Sequence, residues 1–516
     1  MEDTHKQTPA IPRSVYLIIG ILLAGAFVSL LSNTLLNIAL PSIMNYFELS
    51  SPSTVQWLTT GYMLVNGIMI PTTAFLIQRF SVRGLFLTAM TLFTLGTMLG
   101  GFAPSFGILL TGRMIQASGS AIMMPLLMNV MLTSFPVEKR GGAMGMFGLV
   151  MIFAPAIGPT LSGFIIERYD RWDMLFHLIW PIALLVLLFG FIKLRDHKES
   201  VAIHLDSLSI ALSSIGFGGI LYGFSTAGNT DLGGWDNIIV YYTLAAGFIG
   251  LLLFIVRQFK LEKPMLDFRV YRYPMFALSS VISIMMNMAM FSAMLLMPIY
   301  LQTIRGISPL DSGLLLLPGA IVMGIMSPIT GKLFDKFGAK LLVFTGLAIS
   351  VVTSYMFSQL TLSTAYSTLI VIYTLRMFGM SMVMMPIMTN GLNQLPMRYT
   401  PHGTAMNSTL SQVSGAIGTS LLVTIMTTRT KSYVESMVSE AAAGLPAQPT
   451  GEQLQQLAAE VTPQATVHGI NDSFMVSVVL LLAALLLSLF IKRTSPSKDK
   501  NPETAPAART PQVKRA

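Results

Sequence analysis

Apolar stretches of about 20 residues follow one another along the whole chain, separated by short polar or basic turns. At ~1.5 Å rise per residue, about 20 helical residues cross a ~30 Å hydrocarbon layer. Fourteen such stretches can be read, near residues 15–39, 54–77, 84–102, 105–133, 141–166, 174–194, 207–226, 236–256, 275–300, 312–334, 341–359, 365–391, 404–428 and 471–491. No water satisfies backbone groups in hydrocarbon, so each stretch is expected as a helix that bonds its own N–H and C=O groups. The expected fold class is an all-α integral membrane protein with fourteen transmembrane helices.

The pattern repeats. PTTAFLIQRFSVRGLFL follows the second span and SPITGKLFDKFGAKLLV the tenth, each reading as helix end, short basic turn, helix start. Arg113 falls in the fourth span and Arg376 in the twelfth. A shift of about 260 residues therefore maps spans 1–6 onto 9–14 and leaves spans 7 and 8 over. The expected organisation is an N-terminal segment 1–14, a first six-helix half 15–195, an inserted helix pair 205–256 and a linker 257–273. A second six-helix half 274–491 and a basic tail 492–516, polar and Pro-rich and so expected to be disordered, complete it. Two repeated halves enclosing a midplane cavity form a transporter architecture.

Composition agrees with a chain that sits in lipid: of 516 residues, 53% are hydrophobic and 11% charged. A net charge of +9 would fit nucleic acid as a partner, but the placement of the charges explains it better. With the N-terminus cytoplasmic and the spans alternating, 25 of the 32 Lys and Arg face the cytoplasm and five face outward. That bias sets orientation, places both termini inside and leaves no reason to expect nucleic acid. The first apolar run is too long for a cleaved signal core and reads as a retained span. The long outer loop, 429–469, reads as a solvated loop; the alternative is that EQLQQLAAEV forms a short amphipathic helix over the outer mouth. No Cys is present, which excludes disulfides and thiolate chemistry. The chain has no phosphate-binding GxxxxGKS loop, no HExxH and no nucleophile triad. No enzyme activity, cofactor or metal is expected.

Charge inside the apolar spans is the chemistry that stands out. Arg113 and Arg376 have no carboxylate at their depth, and an intramembrane cation marks a substrate or ion pathway by default. Ser29, Asn33 and Asn37 are spaced i, i+4, i+8 and form one polar stripe on span 1. With Arg113 and His177 they would line an outer-half cavity; the alternative is plain helix–helix hydrogen bonding. For His177, a ring that reaches the headgroups is the other reading. Glu167 and Asp173, at the outer ends of spans 5 and 6, are expected to reach toward Arg113 and exchange a proton there. Met-rich stretches such as 285–297 and 377–388 offer soft walls, although most Met must face lipid or pack.

In order along the chain, TLLNIALP (Thr34–Pro41), LLTGRMIQASGSA with Arg113 and Gln116, APAIGPTLSG (Ala154–Gly163), MPIYLQTIRGISPLDSGLLLLPG (Met297–Gly319) and GKLFDKFGAK (Gly331–Lys340) resemble the major facilitator superfamily. The likeness is to its fourteen-span drug:proton antiporter branch, covers nearly the whole chain, and lies nearest the lincomycin-resistance-type subgroup. It implies an antiporter motif at Pro155, Gly158, Pro159 and Gly163, with ordinary glycine packing as the alternative. It also implies gating loops at Gln78, Arg79, Arg83, Gly331, Asp335, Gly338 and Lys340, with Asp335 taking backbone donors at the start of span 11. The pattern is broken in two motifs: in span 1 Ser32 and Asn33 stand where a carboxylate is usual, and in the first-half loop Gln78 stands where an Asp is usual. The expectation is a bacterial plasma-membrane transporter, monomeric, exporting lipophilic neutral or monocationic compounds against protons, with membrane lipids around it. Export of a lipid or endogenous metabolite with altered or absent coupling is the first alternative. A non-transporting scaffold or sensor is the second.

Overall fold

The computed structural model describes residues 13–49, 52–136, 140–195, 206–227, 233–262, 264–443 and 450–493. The first twelve residues, the tail from 494 onward and the side chains of Asn37 and Pro159 lie outside the described residues. Among those described, every regular element is helical. The first half is α1 (Arg13–Tyr46), α2 (Pro52–Arg79), α3 (Val82–Gly101), α4 (Phe106–Ser134), α5 (Arg140–Tyr169) and α6 (Met174–Lys193). The inserted pair is α7 (Ser207–Ala227) and α8 (Ile238–Lys260). The second half is α9 (Pro274–Pro298), α10 (Pro309–Phe337), α11 (Ala339–Phe357), α12 (Tyr366–Asn393), α13 (Thr400–Ala443) and α14 (Gly451–Ser488). Thirteen of these are long and apolar enough to cross a membrane. The fourteenth, α9, has 25 residues and continues through a π-helical turn, Ile299–Ile304.

Local sequence sets the helix ends. Ser81 opens α3 by accepting from Gly84 N, Asn237 opens α8 by accepting from Ile239 N, and Ser308 opens α10 by accepting from Asp311 N. Each supplies a side-chain oxygen to an N–H that has no partner within its own helix. Gly338, at φ +80°, stops α10 and starts α11 within one residue, a backbone state that costs glycine little.

The repeat seen in the sequence recurs in the packing. α3 lies on α4, α2 on α4, α1 on α5, and α3 on α6; in the second half α11 lies on α12, α10 on α12, α9 on α13, and α11 on α14. The halves meet along two seams, α5 against α10 and α2 against α13, which the same shift exchanges. The inserted pair packs on itself and presents α7 to α2 and α13, across the second seam. Trp57 stacks on Tyr222 there at 5.7 Å, and Trp235 Nε1 donates to Thr424 Oγ1 at 2.6 Å.

One expectation needs correction. Segment 429–469 is helical at its described residues, the capping residue Thr450 excepted, because α13 runs on to Ala443 and α14 begins at Gly451. α13 has 44 residues and α14 has 38, about 66 and 57 Å at 1.5 Å per residue, so both run well past a ~30 Å core. EQLQQLAAEV lies in the first turns of α14, behind a capping box formed by Thr450 and Gln453. Arg429 pairs with Asp472 at 3.2 Å, and Tyr433 Oη donates to Asp472 Oδ2 at 3.2 Å, so the two helices are clamped just where they leave the apolar zone. Hydropathy reports membrane depth, not where a helix stops, which is why the extension could not be read from it.

Candidate functional site: a buried arginine and the seam between the halves

Arg113 is fully buried on α4. Its Nη1 donates to Gln116 Oε1 at 2.5 Å, one turn further along α4, and its Nη2 to Asn33 Oδ1 on α1 at 3.4 Å. The guanidinium carbon stands 4.2 Å from the centre of the Tyr62 ring on α2, within cation–π range. Gln116 passes the interaction on, donating from Nε2 to Ser32 Oγ at 2.9 Å and to Thr97 Oγ1 at 2.7 Å. One polar network therefore ties α1, α3 and α4 together, with the Tyr62 ring of α2 beside it. All of Arg113's described partners are neutral, and its Nε has none among the described residues.

Close helix approach makes that network possible. A Cβ added at Gly96 on α3 would lie 2.6 Å from Gly112 O and closer still to Gln116 N. Glycine here lets the backbones of α3 and α4 nearly touch, which brings Gln116 within reach of Thr97. The second half repeats the device: Gly346 on α11 and Gly379 on α12 would clash with each other's carbonyl oxygens, at 2.5 and 2.8 Å. Arg376 is fully buried there, its Nη1 donating to Ser354 Oγ and its Nη2 to Ala289 O at 3.0 Å. Each arginine thus reaches the first helix of its own half.

The other pathway residues are more dispersed. Ser29 donates to Ser120 Oγ at 2.5 Å, joining α1 to α4. Asp173 holds Arg171 and lies 3.6 Å from His177 Nε2, while Glu167 is exposed. The expected reach of Glu167 or Asp173 to Arg113 is therefore absent: one is exposed and the other is held by Arg171 at its own helix end. The hydrogen-bonded Asp173 carboxylate raises the pKa of Arg171. His177 also accepts from Trp180 Nε1 at 3.4 Å and meets the Phe102 ring edge-on at 4.7 Å. On α5, a Cβ at Gly158 would lie 2.8 Å from Thr34 Cβ and closer still to Thr34 Oγ1, so this glycine seats α5 against α1. Pro155 is half-buried, and Gly163, expected to pack closely, faces open space.

The two halves are fastened at the end of the bundle where α1 begins and α14 ends, here the basic end. Asp335 Oδ2, on α10, accepts from Gly142 N at 3.0 Å, in the first turn of α5. The expectation placed its donors at the start of α11; this bond crosses the seam instead, because the last turn of α10 faces α5 at that level. Arg140 donates to Asn393 Oδ1 at 3.1 Å and to Phe135 O at 3.3 Å, crossing from α5 to α12. Gln78 Nε2 lies 3.1 Å from His402 Nε2, crossing from α2 to α13, and also donates to Ala74 O. Arg493 Nη2 donates to Asp335 O at 2.9 Å, which fixes the end of α10.

Of the remaining loop residues, Arg79 lies over the Phe75 and Phe80 rings and Arg83 bonds Phe191 O at 3.2 Å. Gly331 is buried and Lys340 exposed. At the far end the polar ties described remain within one half, as in Tyr300 Oη to Thr361 O and Arg305 Nη1 to Thr364 O, both 2.6 Å. The Trp235–Thr424 bond there joins the inserted pair to the second half. Sequence reasoning singled out neither Tyr62, Arg140, Asn393 nor His402. Each gains its meaning from a residue on another helix.

Two repeated six-helix halves, each built around a buried arginine and clasped together at one end, are the architecture of a helical membrane transporter. The family model of the Major Facilitator Superfamily matches residues 22–419, and the chain belongs to that family. It is 47% identical over 501 residues to the uncharacterized MFS-type transporter YhcA of Bacillus subtilis, covering 93% of both chains. It is 42% identical over 481 residues to the lincomycin resistance protein LmrB of Listeria monocytogenes, covering 93% of this chain and 97% of that one. Its fold is shared with the crystal structure of the human organic anion transporter MFSD10 (TETRAN), at a TM-score of 0.61 and 13% identity, covering 91% of this chain and 100% of that one.

Proposed function

We propose that the protein exports lipophilic neutral or monocationic compounds, antibiotics among them, across the plasma membrane in exchange for protons, with its basic end in the cytoplasm. Full-length likeness to lincomycin resistance proteins supports the substrate class. The charge bias of the loops supports the orientation. The observation that carries the mechanism is the asymmetry of the seam. Asp335–Gly142, Arg140–Asn393 and Gln78–His402 join the halves at the basic end, while the far-end ties described stay within a half or hold the inserted pair. Rocking of the halves would break one set of contacts and make another, as alternating access requires.

Arg113 makes a second reading worth keeping. The usual carboxylate of span 1 is replaced by Ser32 and Asn33, and the described partners of Arg113 are all neutral. That favours a variant with altered or absent proton coupling, serving a lipid or endogenous metabolite. Flux of a lipophilic dye from proteoliposomes, with ΔpH and membrane potential imposed separately, separates the two. Counter-movement of protons under ΔpH supports antiport. Saturable flux indifferent to both gradients refutes coupling and brings the second reading forward.

A further inference from the structure

α7 lies across the seam between α2 and α13, so it touches both halves at a place that rocking must disturb. Its two sides are built differently. Toward α2 the described contacts are between apolar side chains and rings. A Cβ at Gly67 would run into Leu221 Cδ1, so this leucine of α7 sits in a notch that the glycine leaves on α2. Ile68 Cδ1 would lie 3.1 Å from a Cβ at Gly218, and the Trp57 and Tyr222 rings stack at 5.7 Å.

Toward the second half the ties are hydrogen bonds, with a set at each end of the pair. At the outer end Trp235 Nε1, just past α7, donates to Thr424 Oγ1 on α13 at 2.6 Å. At the basic end Gln258 of α8 is buried; its Oε1 accepts from Met265 N at 2.7 Å and Leu266 N at 3.2 Å, and its Nε2 donates to Ser209 Oγ of α7 at 2.7 Å. One glutamine therefore binds both helices of the pair to the segment that leads into α9. That segment is anchored in turn: Asp267 N donates to His402 Nδ1 on α13 at 3.2 Å, and Leu266 and Val270 are fully buried. Asp206, the residue before α7, and Arg257 of α8 close the pair on itself at 2.7 Å.

A hydrogen bond fixes both the distance and the angle between its partners, whereas apolar contact is non-directional and follows the area covered. Shifting α7 against α13 would strand the Trp235 N–H and strain the buried amides of the linker. Shifting it against α2 only moves Leu221 out of its notch and strands no polar group. When packed helices slide by small shear steps, the apolar face gives way first.

From this geometry we infer that the inserted pair is a seal carried by the second half: α7 stays on α13 while α2 slides beneath it. Membrane lipid is thereby kept out of the α2–α13 seam whichever end of the bundle is open. This goes beyond the export reading and rests on it for the rocking of the halves.

The chain has no Cys, so bridges can be introduced one at a time. Leu221 Cγ would lie 3.5 Å from a Cβ at Gly67, close to what a disulfide spans. Oxidising Gly67→Cys/Leu221→Cys locks α7 to α2 and should lower dye flux by roughly tenfold or more, with recovery on reduction, because a conformational step is blocked. A short bis-thiosulfonate across Trp235→Cys and Thr424→Cys locks the pair to α13 and should leave flux within about twofold of the reduced protein. Spin labels give a reading independent of those seam cysteines. Phe259→Cys on α8 is paired with Ile192→Cys on α6 or with Leu341→Cys on α11, all exposed at the basic end. The α8–α6 distance should spread as the halves rock, while the α8–α11 distance stays single. Flux that survives the first bridge overturns the inference, as does flux lost to the second and regained on reduction. An α8–α6 distance no broader than the α8–α11 distance overturns it too. Flux from the reduced variants reports the export reading by itself. Labels that behave as expected without export sink that reading alone, and export with the opposite label pattern sinks the seal alone.

Discussion

Asp335 offers the most direct test of how the seam is held. Its carboxylate accepts the Gly142 N–H at 3.0 Å, in the first turn of α5, where that N–H has no partner within its own helix. A hydrogen bond to a charged group contributes about 1.5–3 kcal/mol, and an anion at a helix N-terminus about 0.3–1 kcal/mol through the dipole. The carboxylate is part-exposed, which places the sum near the low end, about 2 kcal/mol. That energy exists only while the basic end is closed, so Asp335→Ala should shift the closed-to-open ratio toward open by roughly thirty-fold, at 1.4 kcal/mol per factor of ten. Asp335→Asn keeps an acceptor without the charge and should give an intermediate shift. In this chain without Cys, spin labels at Ile192→Cys on α6 and Leu341→Cys on α11, both exposed at the basic end and in different halves, read the populations. A closed fraction unchanged in Asp335→Ala, in protein that elutes as the parent does, would refute the claim that this contact fastens the halves.

Arg113→Ala strands Gln116 Oε1 and Asn33 Oδ1 in a buried network, and flux should fall at least tenfold. Arg113→Lys should not restore it, because one ammonium cannot serve both oxygens while lying flat on Tyr62. Full activity in either variant would show the arginine to be dispensable. Gly96→Ala pushes a methyl into two helix backbones and should lower thermal stability by about 1–3 kcal/mol, read as a drop in melting temperature. Gly163→Ala, in open space, serves as the tolerated control. Hydrogen bonding to Arg257 lowers the pKa of Asp206 from 3.8 to about 2. With the folded value below the unfolded one, the stability this group contributes is present above pH 4 or so and is lost as pH falls through about 2. Asp206→Asn should therefore flatten the melting curve across that window, and an unchanged profile would place the acid sensitivity elsewhere.

Hydrophobic pattern alone determined much of this protein. Lipid offers no hydrogen bonds, so each apolar stretch had to be a helix, and the count, the duplicated halves and the extra pair followed from spacing. The two arginines were legible for the same reason: charge is rare at that depth and shows in one dimension. Partners were not legible. Asp335 sits beside α11 in the sequence, yet it serves α5, 193 positions away. Asp173 is bound by Arg171 at its own helix end, although its place at the end of a span looked favourable for reaching Arg113. His402 has no distinguishing neighbour in RYTPHG and becomes noticeable only when Gln78 and the Asp267 amide meet it. The extent of the outer hairpin was hidden too, since polar helix and polar loop have the same hydropathy. Burial in a bilayer is a property of each segment and is written along the chain. A hydrogen bond between helices depends on rotation and depth to within an ångström, and the packing of α5 on α10 and α2 on α13 decided it.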